Sequence, residues 1–161
     1  MTAPAFVLGA GDDNAWPPDP IASPWYYHGV TWRRVVAYWI DLLIILLILV
    51  GLHLIAAVLT VMSLGLLWPL HVLVVPLLVA LAYHSLQIAG IGATLGMRIF
   101  GLRAHSVLGG AVNLPQAVIH TLCFYGSVMV TSCLVLLLAL FNARRRTLHD
   151  LLAGVVVLRA P

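Results

Sequence analysis

Residues 33–59 read RRVVAYWIDLLIILLILVGLHLIAAVL, and the placement of this run decides the fold. After two arginines come 25 residues, 35–59, with one ionised side chain among them, Asp41. At about 1.5 Å of rise per residue, such a helix exceeds the roughly 30 Å hydrocarbon core of a bilayer, so it spans with some tilt. Successive side chains rotate by about 100°, which places Arg34, Tyr38 and Asp41 on one face. Val36, Ile40, Leu43 and Leu47 lie on the other side and suit lipid. Asp41 sits about 10 Å further along the axis than Arg34. Arg34 reaches back to the headgroups; Asp41 is too short to follow. A carboxylate at that depth costs roughly 2.5–3.5 kcal/mol, so Asp41 is expected to face protein, protonated or held by a cation or hydrogen-bond donors. Two roles stay open for it: a structural ion pair that pins the helix register, or a proton or cation site.

Composition agrees with a membrane location. The 161 residues are 63% hydrophobic and only 8% charged, against about 25% charged in an ordinary soluble domain. The length allows one domain. All eight basic residues are arginine and all five acidic ones aspartate, for a net charge of +3. That balance suits a basic rim facing anionic lipid and excludes a nucleic-acid surface, which needs a dense basic patch.

Along the chain, residues 1–28 hold five prolines and three aspartates and read as a disordered, mildly acidic tail that is not a secretory signal. Its end, WYYHGVTW, is aromatic and belongs at the headgroup level. Residues 29–158 form the membrane domain, and 159–161 a short C-terminal tail. A turn at 63–69 leads to a second span at 70–89, kinked at Pro76. The glycine-rich stretch 90–113 reads as an amphipathic surface segment carrying Arg98 and Arg103. A third apolar stretch, 114–141, is followed by Arg144, Arg145 and Arg146. If every arginine cluster is cytoplasmic, a single crossing at 114–141 would put these three outside. A broken hairpin, bent near Gly126 and Ser127 and re-entering on one side, is favoured over a single span. The expected fold is an all-α integral membrane protein with two transmembrane helices, this third segment and short interfacial helices. One of the latter starts at Thr147, with Asp150 completing a capping box and Gly154 as its stop.

Other chemistry finds little support. Cys123 and Cys133 lie about 15 Å apart on a helix, too far for a disulfide, and read as packing residues. His71 and His84 point about 220° apart and cannot share a site. No metal-ligand spacing occurs, and the glycine-rich GATLG at 92–96 lacks the ending of a phosphate loop. Ser63, Ser85, Ser127 and Ser132 read as packing or interhelical hydrogen-bonding residues. The expectation is no enzyme, no cofactor and no metal.

Three stretches in order resemble the RDD family of small bacterial membrane proteins, named for one arginine and two aspartates. They are YYHGVTWRRVVAYWIDLLI, which is similar to the family's aromatic–glycine lead into R-x-x-A-x-x-I-D; TLGMRIFGLRA at 94–104; and RRRTLHDLLAGVVVL at 144–158. The resemblance implies that Arg34, Asp41 and Asp150 are the named trio. Tyr38, Thr94, Gly96, Arg98, Gly101, Arg103 and His149 are the supporting residues. Met97 stands where the family has lysine, and Val155 where it has threonine. If the trio converges, Asp150 lies near Arg34. The resemblance further implies the bacterial inner membrane, and the arginine clusters imply a cytoplasmic N-terminus. It carries a suggested transport role, as a small oligomeric transporter or cation/proton exchanger using Asp41. The alternative is an assembly or accessory protein in which the trio is structural. Expected partners are the bilayer, anionic headgroups at Arg33, Arg98, Arg103 and Arg144–Arg146, and a second copy or another membrane protein.

Overall fold

The computed structural model describes residues 16–131 and 143–160. It is mostly helical, with two helices long and apolar enough to cross a membrane. The first, α1, runs Val30–Met62, about 50 Å at the usual rise. Its apolar window has a mean hydropathy of 3.2 and is hardly buried within the protein. Val36, Leu43 and Leu47 are exposed, as the lipid face requires. The chain enters through Gly29, whose positive φ of 70° favours glycine. It leaves through a turn in which Leu64 and Gly65 both take positive φ.

The second span begins with a π turn, Leu70–Val74, and continues as α2, Val75–Ile91. Pro76 accounts for the widened turn. It has no N–H to give to the carbonyl four residues back, and its ring crowds that carbonyl. The expected kink is therefore a π turn one step earlier. Gly92 closes α2 in the left-handed region, and Thr94 then caps a short helix, α3, Leu95–Ile99, by accepting the Met97 N–H at 3.2 Å.

Two features differ from the sequence expectation. The stretch 90–113 is not simply an amphipathic surface segment: Leu102–Ser106 forms strand β1, which pairs antiparallel with β2, Val155–Arg159, from Leu102 opposite Arg159 to Ser106 opposite Val155. Residues 16–28 are not a free tail. Trp16 donates its indole N–H to the Ser106 carbonyl at 2.6 Å, Tyr27 donates its hydroxyl to the Pro18 carbonyl at 2.7 Å, and Pro24–Tyr26 forms a 3₁₀ turn. This strap covers one face of β2, where Tyr27 packs with Val156 and Leu158. The other face supplies Val155 and Val157 to a core with Val30, Ile88, Leu102, Ala104, Val112 and Ala117. The first fifteen residues of the expected tail lie outside the described residues.

The third apolar stretch forms α4, Leu114–Thr131. It passes through Gly126 and Ser127 as continuous helix, so the bend expected there does not exist: the glycine alone does not break the run. The remainder, residues 132–142 with Cys133 and Ser132, lies outside the described residues. The start of α4 and the segment after it nevertheless lie at the same end, because Gln116 donates to the carbonyls of Ala153 and Gly154 at 2.8 and 2.9 Å. A last short helix, α5, covers Leu148–Leu152 and stops at Gly154 (φ 63°).

The strap, α3, the sheet and α5 form a cap over one end of the helices, and this end gathers the arginines. Arg33 donates to the Phe100 carbonyl at 2.7 Å, Arg146 to that of Val155 at 3.0 Å, and Arg159 lies over the Trp25 ring. The cap meets the span most tightly where α3 crosses α1. A Cβ on Gly96 would run into the Ala37 carbonyl and stand 2.9 Å from Asp41 Oδ2. Gly96→Ala is therefore expected to lower stability by about 1–3 kcal/mol or more, since backbone cannot give way. Gly90→Ala, which meets nothing within 4 Å, should be close to neutral. Thermal unfolding of both in detergent checks this.

Candidate functional site

Asp41 is 2% exposed and accepts three hydrogen bonds from two other elements. Tyr83 on α2 donates its hydroxyl to Oδ1 at 2.8 Å, and the Gly96 N–H reaches the same oxygen at 2.8 Å. The Thr94 hydroxyl donates to Oδ2 at 2.5 Å. Among the described residues no cation lies within ion-pair distance of this carboxylate. The expectation that Asp41 faces protein holds, with neutral donors in place of an ion pair. A carboxylate offers about four acceptor positions, so roughly one remains.

Asp150 is fully buried and its acceptors are filled. Arg34 reaches across from α1 and grips it with both ends of its guanidinium, at 2.5 Å to Oδ2 and 2.8 Å to Oδ1. His120 Nε2 on α4 contacts Oδ1 at 2.8 Å, and the Thr147 N–H donates to Oδ2 at 2.9 Å, the acidic half of the expected capping box. Burial alone would raise the Asp150 pKa, but Arg34 and His120 hold it well below the usual carboxylate range. His149 lies beside the pair, its Nε2 2.8 Å from the Thr147 hydroxyl and 3.4 Å from Arg34 Nη2. Burial, against the pull of Asp150 and helped by Arg34 and His120, pushes its pKa down to about 3.

Arg34 and Asp150 thus meet as expected, whereas Asp41 is tied separately to α2 and α3. The two locks border one cavity of about 300 Å³ between α1, α2, α4 and α5, with Arg34, Tyr38, Asp41, Thr94 and His149 in its wall. Tyr38 also meets Phe124 edge to face at 5.2 Å. Arg98 and Arg103 are exposed and take no part, and Gly101 serves a positive-φ turn between α3 and β1. GATLG is no loose turn: Gly92 caps α2, and Gly96 permits the close crossing.

Several residues of the site have no counterpart in the motif reading. Tyr83, His84, His120 and Thr121 come from α2 and α4, far along the chain. Gln116, His120 and Phe124 recur every four residues, so one face of α4 carries polar groups in an apolar helix, a signal present in the sequence. His120, His149 and Asp150 place one potential metal-ligand atom each within 4.8 Å of one another. Local spacing could not reveal this cluster, because α4 and α5 each supply part of it. The guanidinium nitrogen of Arg34 already bonds two of the three members, so the cation held there is the arginine's own.

Removing one partner of a buried pair strands the other, which typically costs about 3–5 kcal/mol. Arg34→Met is expected to lose about that much, with Arg34→Lys recovering only part because it lacks the two-pronged donor; thermal unfolding in detergent reads both. The pH response has a definite sign. An exposed histidine takes up a proton near pH 6.5, at about which the unfolded chain begins to bind protons that buried His149 refuses. Stability should therefore fall as pH drops from about 6.5 toward 3, by at most about 1.4 kcal/mol per unit, while Asp150 keeps its charge across most of that window. His149→Gln should flatten the profile, and melting curves between pH 7 and 4.5 measure it.

No curated protein and no solved structure matches this chain. The sequence profile of the RDD family matches residues 29–154, a span that holds α1 to α5 and Arg34, Asp41 and Asp150. The chain is a member of the RDD family.

Proposed function

We propose that this is a non-enzymatic inner-membrane protein of the accessory or assembly type. Its Arg–Asp–Asp trio is a structural clamp, and the cavity beside it is the working surface. The observation that carries this reading is the wiring of Asp41: all three of its bonds cross to other elements, Tyr83 on α2 and Thr94 and Gly96 at the start of α3. A group that loads and releases an ion needs acceptors that come free; this one is committed to holding the fold. Val35 and Trp39 line the cavity and are exposed on the outer face of α1, which suits a sideways opening toward lipid or toward another membrane protein.

Orientation follows from the positive-inside rule. The arginine-rich cap lies on the cytoplasmic side, with the start of α1 and the end of β2, in a bacterial inner membrane. Exposed Arg98 and Arg103 face anionic headgroups, and the lateral opening is where a second copy or another membrane protein docks.

One observation favours the second reading, a small oligomeric carrier or cation/proton exchanger. Asp41 borders the cavity together with His84, His120 and His149, and about one of its acceptor positions is unfilled. Proton-coupled sodium or potassium flux in proteoliposomes, compared between wild type and Asp41→Asn at matched incorporation, separates the two. The clamp reading expects no flux above empty vesicles in either protein. It also expects Asp41→Asn to melt earlier by about 1–3 kcal/mol, because an amide NH₂ then faces donors. Wild-type flux that disappears in a well-folded Asp41→Asn protein would overturn it in favour of exchange.

A further inference from the structure

At the opposite end of the helical hairpin from the arginines, two histidines meet. His53 of α1 and His71 of the π turn hold their ring centres 4.3 Å apart with planes inclined by 54°. Neither belongs to the motif stretches or to the clamp. His53 Nδ1 lies 2.7 Å from the Leu49 carbonyl oxygen. A carbonyl only accepts, so Nδ1 carries the proton and Nε2 is left with its lone pair free in the neutral ring. This is the way metal-binding histidines are set, with one ring nitrogen donating to a backbone carbonyl and the other turned to the ion. His71 is 7% exposed, and its Nε2 is buried without a hydrogen-bond partner. Its Nδ1 stands 3.4 Å from the Thr60 hydroxyl, which can accept a hydrogen bond from it.

We propose that His53 and His71 bind a divalent transition-metal ion of the copper–zinc class through their two Nε2 atoms. Metal–nitrogen bonds of about 2.0–2.1 Å place two imidazole centres roughly 4.5–5.2 Å apart for angles between square and tetrahedral. The observed 4.3 Å lies just under that range. The donor set selects the ion: imidazole suits copper, zinc and nickel, whereas magnesium and calcium require carboxylate or carbonyl oxygens. Asp41, the nearest carboxylate on α1, is about 18 Å away along the axis. Electrostatics permits a cation here as well, since Arg34 lies about 28 Å back along the same helix. The pair lies in the half of the span away from the arginines. Two protein ligands leave positions open for water or an exchanging ligand, the pattern of a site that captures or hands on an ion.

The test is copper(II) titration of the full-length protein in lipid nanodiscs, followed by electron paramagnetic resonance, with zinc as competitor. The expected result is one tightly held copper per chain, a spectrum showing two coordinating imidazole nitrogens, and displacement by zinc. His53→Phe and His71→Phe keep a ring in the contact but remove a ligand. Each should weaken binding by roughly tenfold or more, while exposed His28→Ala leaves it unchanged. If one phenylalanine variant fails to fold, judged by metal-free melting, the other decides. Absence of copper binding at micromolar concentrations overturns the proposal, as does an unchanged spectrum and affinity in a folded phenylalanine variant.

Discussion

A carboxylate sunk two turns into a hydrocarbon-spanning helix imposes a demand that nothing local can meet. Water is absent, and the side chain cannot bend back to the headgroups. The donors for Asp41 must therefore come from other parts of the chain. Tyr83 brings α2 against α1 at this level, and Thr94 and Gly96 bring the start of α3. The second of these ties requires backbone to touch backbone, which explains a glycine opposite the Ala37 carbonyl. One buried charge thus specifies how a lipid-facing helix, a second span and the first piece of the cap fit together. Apolar packing alone would leave their register loose, since a helix surrounded by lipid gains little from choosing one apolar neighbour over another.

The Arg34–Asp150 pair does the same for the far end of the sequence. Asp150 has three partners: the guanidinium from α1, the imidazole from α4 and the Thr147 N–H that starts α5. A buried ion pair is weak evidence for net stability, because desolvating both charges costs about as much as their attraction returns. Its value here is specificity. A two-pronged guanidinium accepts only one placement of the carboxylate, and with Asp150 fixed, Gln116 can close off the carbonyls at the end of α5. His149, neutral beside two cation-capable neighbours, fills the remaining space without adding a charge.

Much of this was legible in the residues. The apolar run around Asp41 defined the first span, the one-faced spacing of Arg34, Tyr38 and Asp41 gave the inward side, and Thr147 with Asp150 announced a capped helix. The small sheet was not. β2 is buried on both faces, between the core and the strap, so Val155–Leu158 shows an unbroken apolar run in place of alternation. After a helix stop, four such residues do not declare a strand. In β1 the alternation is present, with Leu102, Ala104 and Ser106 turned inward, but a surface helix can carry the same few charges. The strap was hidden for another reason: its prolines and small residues suggest disorder, and only the aromatic Trp16 and Tyr27, with a surface to land on, tie it down. The histidine pair escaped because its members are eighteen residues apart on antiparallel helices, where sequence distance says nothing of spatial distance.

The chain separations in the two locks bear on how the protein is made. Asp41 waits 42 residues for Tyr83 and 53 for Thr94, and Arg34 waits 116 residues for Asp150. As synthesis proceeds from the N-terminus, α1 enters the bilayer carrying both charges before any of their partners exists. The insertion machinery, or a protonated carboxyl, has to shelter Asp41 until α2 and α3 emerge. The cap can close only when the last strand, β2, slides between the strap and the core. The cap therefore closes at the membrane surface beside the first helix, and a chain without β2 would be inserted yet unsealed.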